Sequence, residues 1–144
     1  MTRPLPALAL APALLAGPGW AADLTVRIEG VRSATGTVVV CLWDAPATFP
    51  DCGRSQPAGV RSVPAAKGAV AVRFPGLAPG TYAVSVLHDE NGNNRMDTGF
   101  LGLPREGFGA SNLDRLPRAA APTFDDARFE LRGDGAVTAR MLYP

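Results

Sequence analysis

Apolar residues recur at every second position through most of the chain. Leu24, Val26 and Ile28 alternate with Thr25, Arg27 and Glu29 in "LTVRIE", the pattern of a strand with one face on a core and the other in water. "AVAVRF" puts Val70, Val72 and Phe74 on one face, "GTYAVSVLHD" does the same with Tyr82, Val84 and Val86, "ARFELR" with Ala127, Phe129 and Leu131, and "AVTARMLY" with Val137, Ala139 and Met141. "GTVVVCLWD" is apolar at both parities and predicts a central strand covered on both sides. Between these runs stand "SATG", "PGLAPG" and "RGDG", whose Gly, Pro, Ser and Asp are turn formers. The last of them is expected to close a tight hairpin between the final two strands. No segment keeps a 3.6-residue period, so the fold class expected is all-β, an antiparallel Greek-key sandwich of about seven strands.

Two segments depart from this rhythm. "LPALALAPALLAG" after Arg3 is too short to span a bilayer and ends in the small-residue pattern Gly19-Trp20-Ala21, so residues 1–21 are expected to be a secretory signal peptide and 22–144 a single domain. No second apolar stretch of spanning length follows, which predicts no membrane span once the signal is cut. From Glu90 to Thr123 the chain is rich in Gly, Pro and amides and shows little periodicity. A connection this long is usually functional. Phe100, Leu101, Leu103, Phe108 and Leu113 are spread through it, enough apolar surface for the segment to pack rather than stay disordered.

Charge excludes one class of function. With Arg3 removed, the remaining Lys and Arg equal the 13 Asp and Glu, and a neutral chain with scattered charges has no footprint for nucleic acid or an anionic membrane. The two cysteines, Cys41 and Cys52, are expected to form a disulfide in an oxidising compartment, periplasmic or extracellular. It would clamp the intervening "LWDAPATFPD" and contribute about 3 kcal/mol by the loop-entropy account.

The stretch with most chemical content is "HDENGNNRMD". Counting Asp89 as one, oxygen-bearing side chains fall at one, three, five and nine, namely Asp89, Asn91, Asn93 and Asp97, with the backbone carbonyl of Arg95 at seven. A hard cation such as Ca²⁺ takes six to eight oxygens, and a curled loop supplies them from alternate residues. Position six is Asn94 where Gly is usual, tolerable because Asn visits the left-handed region readily. Position twelve is Phe100 and not a bidentate Glu, so the loop is not an EF-hand. It resembles instead the nine-residue calcium loops between hairpin strands of integrin propellers. With two carboxylates, affinity would be ~10⁻⁴ to 10⁻³ M. The same residues equally suit a metal-free turn stitched by side-chain to backbone hydrogen bonds, and both readings stay open here.

His88, the only histidine, shares a parity with Tyr82, Val84 and Val86 and is expected to point inward, donating to a carbonyl of the segment that follows it. As a catalytic base it would need an acid such as Asp89 or Glu106 and a nucleophile such as Ser111. No G-x-S-x-G or H-E-x-x-H is present. In "LPREGFGASN", Arg105, Glu106, Phe108, Ser111 and Asn112 form with His88 a candidate recognition surface; the structural alternative has Glu106 paired with an arginine and Phe108 filling a hole.

Taken together, "FPGLAPGTYAVSVLHDENGNNRMDTGFLGLPREGFGASN" resembles the secreted bacterial family called domain of unknown function 2141. Its pattern is a G-x-Y-A strand, then H-D-x-N-x-N-x-x-x-D, then G-x-P-x-E-G-[FY]-G-x-S-N, with His88, Asp89, Asn91, Asn93, Asp97, Pro104, Glu106, Gly107, Gly109, Ser111 and Asn112 on the motif positions. The likeness implies export and a sandwich fold and implies no activity. The approach to the strand is also similar to prealbumin-like and carboxypeptidase-regulatory-like sandwich modules, a likeness of fold alone. The expectation for function is a non-catalytic exported binding or structural module of the cell envelope, monomeric, with an unknown envelope protein or ligand as partner and Ca²⁺ as a candidate ion. The alternative is a small hydrolase using His88 with Asp89 or Glu106, and a third reading has an open edge strand pairing with another chain.

Overall fold

A computed structural model of the protein describes residues 21–53, 57–99, 104–115 and 121–144. The leader expected over residues 1–21 lies outside the described residues but for Ala21, as do Phe100, Leu101 and Leu103. Eight strands are described, β1 (Ala22–Val31), β2 (Thr37–Trp43), β3 (Gly59–Pro64), β4 (Gly68–Leu77), β5 (Gly80–Asp89), β6 (Gly107–Ala110), β7 (Phe129–Leu131) and β8 (Gly135–Arg140), with one short helix, α1 (Phe124–Ala127), ahead of β7. They form a sandwich of a three-stranded sheet in the order β4-β1-β8 and a five-stranded sheet in the order β3-β2-β5-β6, with β7 also on β5. Pairing is antiparallel except between β1 and β8, which run parallel. Among the described residues no helix is long and apolar enough to cross a membrane.

The alternating strands fill the space between the sheets. Leu24, Val26 and Ile28 of β1 meet Val38, Val40 and Leu42 of β2 and Val84 and Val86 of β5 in one buried cluster. Each such side chain contributes roughly 1.5–3 kcal/mol when fully buried. The outer residues of β1, Thr25 and Arg27, stay exposed, as period two requires. Tyr82 donates from its hydroxyl to the Ala78 carbonyl at 2.6 Å, tying the start of β5 to the turn before it.

β2 is buried on both faces, as its doubly apolar "TVVVCLW" predicts, and β5, read from the sequence by one face only, is buried on both as well. Their outer face carries a second cluster of Val39, Cys41, Trp43, Ala83 and Leu87, joined by Phe108 and Ala110 of β6 and by Phe124 and Ala127 of α1. Phe49 stands edge-on between Trp43 and Phe124. Cys41 and Cys52 are bonded, with Cα atoms 6.2 Å apart, which fastens the segment carrying Phe49 over this face. The Trp43 indole donates to Ser85 Oγ at 2.9 Å and Ser85 donates to the Pro50 carbonyl at 3.0 Å, so the cover is tied by hydrogen bonds as well.

One expectation is corrected. "RGDG" is not a hairpin turn, because β7 pairs with Gly80–Tyr82 of β5 whereas β8 pairs with β1, so the turn carries the chain from one sheet to the other. Asp134 accepts the Asp23 N–H at 2.8 Å, which anchors the turn to the start of β1. Turn residues specify a bend; which strand the next segment joins is decided by burial far away in the chain. The long segment after Glu90 also holds more regular structure than its composition suggests, since it contains β6.

Candidate functional site

His88 and Asp89 end β5 pointing to opposite faces, and each is fully buried. The Asp89 carboxylate turns into the loop that follows. Its Oδ1 accepts the N–H groups of Gly92 at 2.9 Å and Asn93 at 3.2 Å, and its Oδ2 accepts that of Asn94 at 2.8 Å. The loop can curl this tightly because Gly92 and Asn94 adopt φ of 75° and 58°, the left-handed region open to Gly and tolerated by Asn. Asn94 therefore performs the turn that its place in the spacing demands.

Above Asp89 the remaining polar heads meet. Asp97 accepts the side-chain amides of Asn91 and, at 2.7 Å, Asn93. The amide oxygens of Asn91 and Asn93 accept the N–H groups of Asn93 at 3.2 Å and Arg95 at 3.0 Å. Glu106 closes the loop from outside: it is buried, and its two oxygens accept the N–H of Glu90 at 3.1 Å and of Asp97 at 3.3 Å. One carboxylate thus holds both ends of the loop. Pairing of Thr98 with Pro104 and donation from Arg105 N–H to the Asp97 carbonyl at 2.8 Å bring "LPREG" alongside "HDENGNNRMD". Glu106 serves backbone donors where the sequence suggested an arginine.

The His88 ring lies on the other face. Nε2 is 2.7 Å from the Thr35 carbonyl and Nδ1 is 2.8 Å from the Tyr143 hydroxyl. A carbonyl only accepts, so Nε2 carries a proton, and in the neutral ring Nδ1 then accepts from Tyr143. Tyr143 in turn accepts the Arg32 N–H at 3.0 Å, and the Arg32 guanidinium lies over its ring, 4.5 Å from the centroid. Arg32 also pairs with Glu90, whose other oxygen accepts from Ser33 at 3.3 Å. The Arg32 hydrogen bond holds the Glu90 carboxyl below its ordinary range against the opposing effect of burial. Glu90 in turn raises Arg32. Burial pushes the Tyr143 hydroxyl up.

Two glycines make room for this network. A side chain at Gly36, φ 75°, would strike the Asp89 carbonyl, and one at Gly107 would strike the Tyr143 ring. The inward direction of His88 is as parity predicts, but its carbonyl partner comes from the loop before β2 and not from the segment after it. Sequence reasoning missed Arg32, Thr35 and Tyr143. Tyr143 had a signal, since it follows Val137, Ala139 and Met141 in the same parity. Thr35 had none, because it acts through its backbone.

The remaining candidates are separated by burial. Phe108 belongs to the outer-face cluster. Ser111 is fully buried, accepting Val84 N–H at 3.0 Å and donating to the Ala127 carbonyl at 2.6 Å. Asn112 donates to the Arg128 carbonyl at 2.9 Å. Of the expected recognition surface, Arg105 and Asn112 are exposed, and His88, Glu106, Phe108 and Ser111 face inward. For the hydrolase alternative, the imidazole contacts Tyr143 and Thr35, while Asp89, Glu106 and Ser111 serve backbone groups elsewhere.

For a cation, the heads of Asn91, Asn93 and Asp97 converge, and a left-handed residue sits where a calcium loop needs one. Against this, both Asp89 oxygens already accept N–H groups. Among the described residues no group of three or more His, Cys, Asp or Glu is gathered as a metal site. An ion here would rest on amide and backbone oxygens supplemented by the two loop carboxylates.

A model of the bacterial family DUF2141, described as "uncharacterized protein conserved in bacteria", matches residues 26–139. No curated protein and no solved structure matches the chain.

Proposed function

Because the chain belongs to the DUF2141 family, which carries no assigned activity, we propose its function from geometry: a non-catalytic exported binding or structural module of the cell envelope. The observation that carries this reading is the employment of the polar groups a reaction would need. His88, Asp89, Glu106 and Ser111 are all buried, and each is engaged by partners inside the fold. A general base needs a lone pair facing a substrate; the one on His88 Nδ1 faces Tyr143. Export is supported by the Cys41–Cys52 bond, since disulfides persist in oxidising compartments. The outward feature offered to an envelope partner is the end built from residues 89–97 and 104–112, where Arg105 and Asn112 are exposed on a tightly held backbone.

The test compares the native protein with His88→Ala on ester, phosphate, glycoside and peptide reporter substrates. The expected outcome is no turnover by either and a lower melting temperature for the variant. Turnover by the native protein that disappears in a folded His88→Ala would establish the hydrolase instead.

Ca²⁺ at the 89–97 loop is a second reading, favoured by the meeting of the Asn91, Asn93 and Asp97 heads. Asp89, Asn91, Asn93, Asp97 and the Arg95 carbonyl would hold the ion, whose role would be to order the loop. Calorimetric titration of the chelator-treated protein is expected to show weak uptake, ~10⁻⁴ to 10⁻³ M, lost in Asp97→Ala. No heat and no thermal shift at millimolar Ca²⁺ would remove the ion and leave the module reading in place.

A further inference from the structure

Asn91 is the one asparagine of this chain that precedes a glycine; Asn93, Asn94 and Asn112 precede Asn, Arg and Leu. The pairing has chemistry of its own. A backbone nitrogen can attack the side-chain carbonyl of the asparagine before it, and the cyclic imide forms most readily when the attacking residue has no side chain in the way. Asn91 is exposed, and a Cβ built on Gly92 would meet nothing within 4 Å, so water reaches the pair and no neighbour crowds it.

In the closed loop both reacting groups are nevertheless held. The Gly92 N–H donates to Asp89 Oδ1 at 2.9 Å, and taking that proton away would leave a nitrogen anion against a buried carboxylate. The Asn91 side chain is anchored at both heads, its amide donating to Asp97 and its oxygen accepting the Asn93 N–H at 3.2 Å. Glu106 keeps the two ends of the loop together through the Glu90 and Asp97 N–H groups. Nucleophile and electrophile are therefore released together when the loop opens.

We propose that Asn91 is a site of covalent modification, a deamidation gated by opening of the 89–97 loop, and that its product keeps the loop open. In the open loop the Gly92 nitrogen bonds to Asn91 Cγ, the Cγ–Nδ2 bond breaks, and Nδ2 leaves as ammonia with the proton that Gly92 gives up. Water then adds to either carbonyl of the imide, giving aspartate, or isoaspartate with the main chain routed through the former side chain. The sum consumes one water, turns an amide into a carboxylate and releases ammonia, with no oxidant or reductant. Either product sets a carboxylate where Asn91 donated to Asp97, so attraction becomes like-charge repulsion. The isoaspartate also lengthens the main chain of a loop whose curl is set by Gly92 and Asn94. None of these steps involves a cation, so the proposal is independent of the Ca²⁺ reading.

The experiment follows deamidation by peptide mass spectrometry during incubation at neutral to mildly alkaline pH, in chelator so that no cation helps to close the loop. The native protein, Glu106→Gln and the native chain unfolded in denaturant are compared, with hydrogen exchange of the Gly92 N–H measured on the two folded proteins. The nitrogen that exchanges is the nitrogen that attacks, so one opening governs both rates. Asn91 is expected to be modified slowest in the native protein, at least about tenfold faster in Glu106→Gln, and fastest in the unfolded chain, with Asn112 lagging throughout. The increase in Glu106→Gln should match the increase in Gly92 exchange. Should Glu106→Gln lack a native melting transition, Asp97→Ala, which releases the Asn91 amide from a half-buried position, is read in the same way. Asn91→Asp, a mimic of one product, is expected to raise exchange across residues 90–97. Equal rates in native and unfolded chain, no modification in either, or faster Gly92 exchange without faster deamidation would overturn the gating; unchanged exchange in Asn91→Asp would overturn the claim that the product holds the loop open.

Discussion

Val86 and Asp89 lie three residues apart on β5 and are equally hidden from water, yet different physics holds them. Val86 points between the sheets, among side chains whose only requirement is volume and apolar surface. Asp89 is a charge out of water, tolerable because three N–H groups converge on it. The first region is a non-directional core that many apolar sequences could fill. The second is a directional cap in which a carboxylate must be a carboxylate. Burial alone does not reveal what a substitution would do; the number of donors that lose an acceptor does.

The largest expected effect tests the first region. Ile28→Ala removes a fully buried side chain from the middle of β1 and is expected to cost about 4 kcal/mol, as lost transfer free energy together with the cavity left behind. Denaturant unfolding should show a lower midpoint with unchanged slope, since the whole sandwich loses stability at once. A loss confined to the core, with the hydrogen-exchange protection of residues 90–97 unchanged, would mean that the two regions unfold separately and that the whole sandwich is not the unit of cooperativity.

A smaller and more local effect is expected in the second region. Glu106→Gln keeps the shape of the side chain but turns one acceptor into an amide donor facing either Glu90 N–H or Asp97 N–H. The expected cost is about 2 kcal/mol, with faster hydrogen exchange concentrated at residues 90–97. An unchanged exchange rate there would show that Glu106 does not hold the loop.

The same contrast decides what could be read from the chain in advance. Non-directional packing leaves a pattern, so β1, β4, β5, β7 and β8 are visible as alternation and β2 as a run apolar at both parities, and even the inward direction of His88 follows from parity. β3 escapes because Val60 and Val63 fall out of period and the inward position between them is Arg61, which covers the sheet edge. β6 escapes because "GFGA" has one large apolar side chain and two glycines, one of which is demanded by a ring from the other end of the chain. In the cap, the acceptors Asp89 and Glu106 are visible as residue types, but what they bind is backbone N–H. Every residue except proline carries one, so composition cannot single out the partner.

The smallest effect lies where cap and core meet. Glu90 follows Asp89 directly, gives its N–H to Glu106 and pairs its carboxylate with Arg32, whose guanidinium covers Tyr143 and hence the His88 network. Arg32 holds the folded-state Glu90 carboxyl below its ordinary range. A carboxylate depressed in this way contributes stability that is present above the unfolded value and is lost as pH falls through the folded one. The contribution is less than about 1 kcal/mol, because the Arg32 side chain is 46% exposed and water screens the pair. Asp23 and Asp126 are lowered too, the first mainly by Arg73 and the second by the Thr123 N–H, so the acid slope of the native protein belongs to several groups. The difference between native protein and Glu90→Gln isolates one of them. Stability of the two, measured by urea unfolding from neutral pH down through the carboxylate range, is expected to differ most at neutral pH and to converge as the medium becomes acid. A gap that widens in acid would reverse the sign and show that the Arg32–Glu90 pair is not what couples the cap to the core.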